Sequence, residues 1–86
     1  MPRVETEEQA AEDFEKLDKS TKLFFAKHIK KFEILPPRRF LGGSNYTVEN
    51  VGQGRIVCRV EGEVVHIVRL FQTHKEYEKW FRGGMP

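Results

Sequence analysis

With one cysteine, Cys58, the chain cannot form an internal disulfide, and this fits a reducing compartment. It also lacks any apolar run near the roughly 20 residues that a membrane-crossing helix needs. Its first residues are acidic, where a secretory signal would be basic and then apolar. A cytoplasmic location without membrane contact is therefore expected. The three histidines and Cys58 have no metal-ligand spacing, so neither metal nor cofactor is expected. Gly52-Gln53-Gly54 lacks the strand–helix context of a phosphate loop. No serine or cysteine nucleophile is suggested, since Cys58 falls in the middle of an apolar strand pattern.

Charge of one sign is lacking as well: 15 Lys and Arg stand against 13 Asp and Glu, for a net charge of +2. The distribution is uneven. Residues 1–16 carry six acids and two bases, whereas residues 17–42 carry seven bases and two acids. A basic central stretch suits a polyanion, although lysines on a helix are also its ordinary solvated side. At 86 residues the chain suits a single domain over 1–86. Its core must be small and must lean on seven Phe, two Tyr and one Trp.

The first two-fifths read as a helical hairpin. Thr6 and Gln9 have capping-box spacing, and Ala10, Phe14 and Leu17 recur at helical period. Asp18-Lys19-Ser20-Thr21 offers a second N-cap. A basic helix follows, with Phe25, Ile29 and Phe32 inward, until Pro36-Pro37 stops it. From residue 40 the period shortens. Tyr46 to Val51, Arg55 to Val60 and Val64 to Phe71 read as an antiparallel meander, with a two-residue turn at Glu61-Gly62. Thr73 and Glu76 then cap a last helix with Tyr77, Trp80 and Phe81 on its apolar side, ended by Gly83-Gly84 and Pro86. Arg3-Val4-Glu5 adds a short first strand beside the meander. The expected fold is α+β: an N-terminal helical hairpin packed on a small antiparallel sheet, in the order β-α-α-β-β-β-α.

A turn at Glu61-Gly62 pairs Arg59 with Val64, Val57 with His66 and Arg55 with Val68. Ile56, Cys58, Val65 and Ile67 then share the face beneath the helices. Arg55, Arg59 and His66 share the opposite, uncovered face, where two guanidiniums and an imidazole suit a phosphate. Ordinary solvation of an exposed strand explains those arginines too. His74 stands in the first turn of a capped helix beside Lys75. There an imidazole can exchange protons near neutral pH, and the helix end favours anions.

In order and spacing, Leu17-Asp18-Lys19-Ser20, the basic second helix, Pro36 to Gly43, Tyr46-Thr47-Val48, Gly54-Arg55-Ile56-Val57 and Val64 to Phe71 resemble the RelE/ParE superfamily of toxins. The ending Thr73-His74-Lys75-Glu76-Tyr77 is similar to the HigB branch. The resemblance implies a metal-independent, ribosome-dependent mRNA endonuclease. It would cut mRNA in the A site by attack of the ribose 2′-hydroxyl on the adjacent phosphate. A cognate antitoxin, RelB- or HigA-like, would restrain it, and ribosome and mRNA would be its other partners. It casts Arg55 beside the scissile phosphate, His74 as general acid or base, and Arg59, Lys75, His66, Arg38 and Arg39 as RNA-binding residues. Thr47 and Glu49 stand where RelE carries lysines. Glu49 is then the candidate base, a carboxylate that needs an arginine beside it near RNA phosphate. Two alternatives share the fold: a ParE-like inhibitor of DNA gyrase that cuts no RNA, and a catalytically inactive RNA- or protein-binding relative.

Overall fold

The computed structural model describes residues 2–84, so Pro86 and the other end residues, 1 and 85, lie outside the described part. Its elements run β1 (Arg3–Thr6), α1 (Glu8–Glu15), α2 (Lys19–Lys31), β2 (Tyr46–Val51), β3 (Gly54–Glu61), β4 (Val64–Phe71) and α3 (His74–Arg82). This is the expected order. The sheet order is β1-β4-β3-β2: the meander is antiparallel as expected, and β1 joins β4 in parallel, which makes the four-stranded sheet mixed.

Helix α2 begins as its sequence requires: Asp18 accepts the Thr21 N–H at 2.8 Å, satisfying a donor that the first turn leaves open. It ends at Lys31, before the prolines, in a turn through Phe32 to Leu35. Helix α1 is capped differently from the expectation. Thr6 is still strand, Glu7 occupies the N-cap without a side-chain capping bond, and Gln9 reaches forward to Asp13 instead. The parallel pairing of Thr6 with Ile67 outweighs the local capping box.

One core lies between α1, α2 and the sheet. Ala10, Leu17, Phe25 and Phe32 pack there on Ile56, Cys58, Val65, Ile67 and Leu70. Phe25 has no exposed surface, and burying such a side chain is worth about 1.5–3 kcal/mol. Its ring lies where a Cβ on Gly54 would stand, 2.4 Å from that position, so β3 begins with the one residue that fits. A second, smaller cluster occupies the opposite face: Val57, Val68 and Phe71, covered by Tyr46, Tyr77 and Trp80.

That second cluster corrects the picture of an uncovered face, because α3 folds back over part of it. The hairpin register also differs. Glu61 remains in β3 opposite Val64, and the turn falls on Gly62-Glu63, where Gly62 takes φ +60°. Partners therefore move by two residues, so Arg59 faces His66 and each side chain keeps its expected face. A bulge between Val57 and Cys58 leaves Val68 without an opposite residue, and beyond it Val57 faces Arg69 and Arg55 faces Phe71. Val68 and Phe71 both reach the second cluster as a result.

Candidate functional site

The bulge and the β4–α3 corner bring two of the expected site residues together. Arg55 is the second residue of β3, and its Nη1 donates to the carbonyls of Gly52 (3.2 Å) and Gly54 (2.8 Å). Those bonds pin one edge of the guanidinium to the β2–β3 turn. The other edge faces His74, with Nη2 at 3.0 Å from Nδ1. His74 is the first residue of α3, and the helix start is fixed by Thr73, whose hydroxyl accepts the Glu76 N–H at 3.2 Å and donates to its carboxylate at 3.0 Å. The side chain of His74 is about half exposed, so the pair stands open to an incoming ligand.

Behind the histidine is a residue that the sequence reading passed over. Glu78 Oε1 lies 2.6 Å from His74 Nε2, one helical turn further along α3, and the same carboxylate meets Arg82 at 3.4 Å. The i to i+4 spacing was the available signal. Tyr77 stacks at 6.5 Å from the His74 ring and 6.1 Å from Phe71, so it packs at the site as well as in the second cluster. Burial raises its hydroxyl above the usual tyrosine value; the Arg55 charge pulls the other way and the Glu78 charge adds to the rise.

Arg59 and His66 do share the open face, but carboxylates already occupy them. Arg59 bonds Glu7 at 2.9 Å and lies 3.4 Å from Glu61. Its charged form is reinforced: burial opposes the charge, and bonds to Tyr46 and Glu7 with the charges of Glu7 and Glu61 overcome it. His66 sits 3.1 Å from Glu61 and 3.8 Å from Glu5, and Arg3 pairs with Glu5 at 3.0 Å. Alternation along β1 was the missed signal for Arg3 and Glu5, which project to one side of the strand, with Glu7 following at the N-cap of α1. This half of the face is an internally neutralised network, not a bare cationic surface.

Glu49 does not join Arg55 and His74. It stands opposite Ile56, whose side chain belongs to the helix-facing core, and bonds His28 of α2 at 3.1 Å. The other face of β2 is the one that leads to Arg55, which pairs with Asn50. Arg38 and Arg39 are exposed and line a shallow depression with Val48, Glu49 and Asn50 at the β2 edge. Lys75 is exposed beside His74. Among the described residues no three His, Cys, Asp or Glu side chains gather as metal ligands would, and no helix is long and apolar enough to cross a membrane.

Chemically, the Arg55–His74–Glu78 line combines a fixed cation, an exposed proton-exchanging ring and a carboxylate behind that ring. Such a set can bind a phosphodiester and move a proton beside it.

No protein-family model matches the sequence, and no curated protein is similar to it. Solved structures are similar in fold. The isolated E. coli RelE toxin superposes with a TM-score of 0.74 at 16% identity, covering 94% of this chain and 99% of that one. A chain of the RelB–RelE antitoxin–toxin complex from Methanococcus jannaschii gives 0.74 at 16%, over 91% and 99%. A chain of the chromosomal ParDE toxin–antitoxin system of P. aeruginosa gives 0.67 at 13%, over 85% and 97%. The fold of this chain is therefore the fold of the RelE toxins and of the toxin–antitoxin structures related to them.

Proposed function

We propose that this chain is the toxin of a toxin–antitoxin pair and acts as a ribosome-dependent endoribonuclease on mRNA in the A site, without a metal. The observation that carries this is the Arg55–His74 contact of 3.0 Å, pinned by the β2–β3 turn on one side and the capped start of α3 on the other. The likeness in fold to E. coli RelE supports it. In the reaction, the 2′-oxygen bonds to phosphorus as the bond from phosphorus to the 5′-oxygen breaks. This leaves a 2′,3′-cyclic phosphate and a 5′-hydroxyl. Arg55 Nη2 leaves Nδ1 for a phosphate oxygen and offsets the extra negative charge of the transition state. His74 exchanges the proton. Lys75, Arg38 and Arg39 hold flanking phosphates. Arg59 and His66 contribute only if RNA displaces their carboxylates, and Glu49 takes no part in the chemistry.

The cognate antitoxin, RelB- or HigA-like, restrains the protein. Leu23 and Phe24 are each 62% exposed on the lysine-rich α2 and suit an amphipathic segment with acidic flanks. Action on the ribosome places the protein in the cytoplasm. The neutralised Arg59–His66 half of the face favours a second reading, the ParE-like gyrase inhibitor, because it removes cations that RNA would need.

Primer-extension mapping of a reporter mRNA, with and without programmed ribosomes, tests the proposal. Cuts that require ribosomes and vanish in His74→Gln support it. Intact mRNA at a dose of protein that halts growth refutes it in favour of the second reading.

A further inference from the structure

Both ring nitrogens of His74 have partners of known polarity. A guanidinium can only donate, so Nδ1, at 3.0 Å from Arg55, carries the lone pair. A carboxylate can only accept, so Nε2, at 2.6 Å from Glu78, carries the proton. The two contacts together select one tautomer, with its basic nitrogen turned toward Arg55. Arg82 holds the other oxygen of Glu78 at 3.4 Å, which leaves Oε1 to the histidine. The groups that face the ring are Arg55 from β3 and, from α3 itself, Glu78 and the Tyr77 ring; Lys75, next in the chain, is exposed.

From this geometry we infer that Glu78 is a positioning residue that makes His74 the proton acceptor of the cleavage step. The inference rests on the proposed reading of Arg55 and His74 as the cleavage pair. A phosphate oxygen that takes over Arg55 Nη2 frees Nδ1. The proton of the 2′-hydroxyl passes to Nδ1 as the 2′-oxygen bonds to phosphorus and the bond to the 5′-oxygen breaks. The departing 5′-oxygen takes a proton from solvent. The imidazolium keeps its second proton on Nε2 against the Glu78 carboxylate, which stabilises the new charge, and then returns the Nδ1 proton to solvent. Glu78 touches neither RNA nor the reacting atoms. It fixes the tautomer and orientation, as a carboxylate behind a catalytic histidine does on unrelated folds.

Two measurements on purified full-length protein test this, with Glu78→Ala as the variant and Lys79→Ala, an exposed neighbour on the same helix, as the control. Glu78 is only partly buried and alanine is a good helix former, so the variant folds. The 15N shifts of the His74 ring, read by NMR in the free protein, report the tautomer without any reference to RNA. The expected result is a protonated Nε2 in the wild type and the control, and a mixture of tautomers in Glu78→Ala. In single-turnover cleavage on programmed ribosomes, Glu78→Ala is expected to be roughly 10- to 100-fold slower, with the control unchanged. Wild-type tautomer populations in Glu78→Ala, or a wild-type cleavage rate, overturn the positioning role. A wild type that cuts no mRNA overturns the underlying nuclease reading and the catalytic part of this one. The ring shifts then still decide whether Glu78 sets the tautomer.

Discussion

Asp13 offers a test of how the helical layer is fastened to the sheet. It is only 8% exposed, on the inner side of α1, and β1 ends before it can cover the far half of β4. The Leu70 N–H at that uncovered edge donates to Asp13 Oδ2 at 3.0 Å, and Arg69 Nε donates to the same oxygen at 2.7 Å. In Asp13→Ala the Leu70 donor is left buried without a partner, which costs about 1–3 kcal/mol. Arg69 is more than a quarter exposed and can turn to water, so its lost ion pair adds only about 0–1 kcal/mol. The sum is about 1–4 kcal/mol. For a domain of this size that lowers Tm by roughly 5–30 °C. Asp13→Asn retains an oxygen for the Leu70 N–H and loses only the charge, so it is expected to cost about 0–1 kcal/mol. Urea unfolding of both variants reads the order directly. If Asn is as damaging as Ala, the ion pair and not the backbone bond is what fastens α1. If Ala costs under about 0.5 kcal/mol, the edge of β4 is satisfied in some other way and the reasoning fails.

Gly54→Ala should cost about 1–3 kcal/mol in urea unfolding, because a Cβ there meets the Phe25 ring. It should slow cleavage as well, since the Gly54 carbonyl anchors Arg55. Burial pushes the Cys58 thiol up to about 12, and the residue has no exposed surface. A thiol-specific chromogenic reagent at mildly alkaline pH should therefore label it only as fast as the protein unfolds; prompt labelling of native protein would contradict that packing. The Thr21 hydroxyl and N–H hold the Asp18 carboxyl below its usual value. A depressed carboxyl stabilises the fold above the ordinary carboxylate range, and that stabilisation disappears as pH falls through its own titration. The gap in urea midpoint between wild type and Asp18→Ala should accordingly be full near neutrality and close below about pH 4.

The helices and the meander were legible because each rests on a local rule. Apolar residues recur at period 3.6 through Phe25, Ile29 and Phe32 and at period 2 through Ile56, Cys58, Val65 and Ile67, and Asp18 and Thr73 cap where their spacing says. What escaped depends on pairings between distant segments. The parallel union of β1 with β4 drew Thr6 into strand and cancelled its capping box. The bulge at Val68, together with the return of α3 over Val57 and Phe71, covered a face that alternation alone left open. In the site, Arg55 and His74 stood out as residue types suited to phosphate chemistry. The carboxylates that neutralise Arg59 and His66 come from β1 (Glu5), the N-cap of α1 (Glu7) and the end of β3 (Glu61), and the sheet order brings the first two there. Glu49 was placed by motif position, whereas strand parity sends it to His28 on the other side.

The most direct test of the central claim is the single-turnover rate of mRNA cleavage on programmed ribosomes for wild type, Arg55→Ala and His74→Gln, with ribosome binding measured alongside. Loss of a transition-state cation or of a proton acceptor each costs about 10²–10⁴-fold in rate. Both variants are therefore expected to fall by that factor while still binding ribosomes, and the wild-type products should end in a 2′,3′-cyclic phosphate. Cleavage by either variant within a few-fold of wild type would contradict the assignment of Arg55 and His74 as the reacting pair.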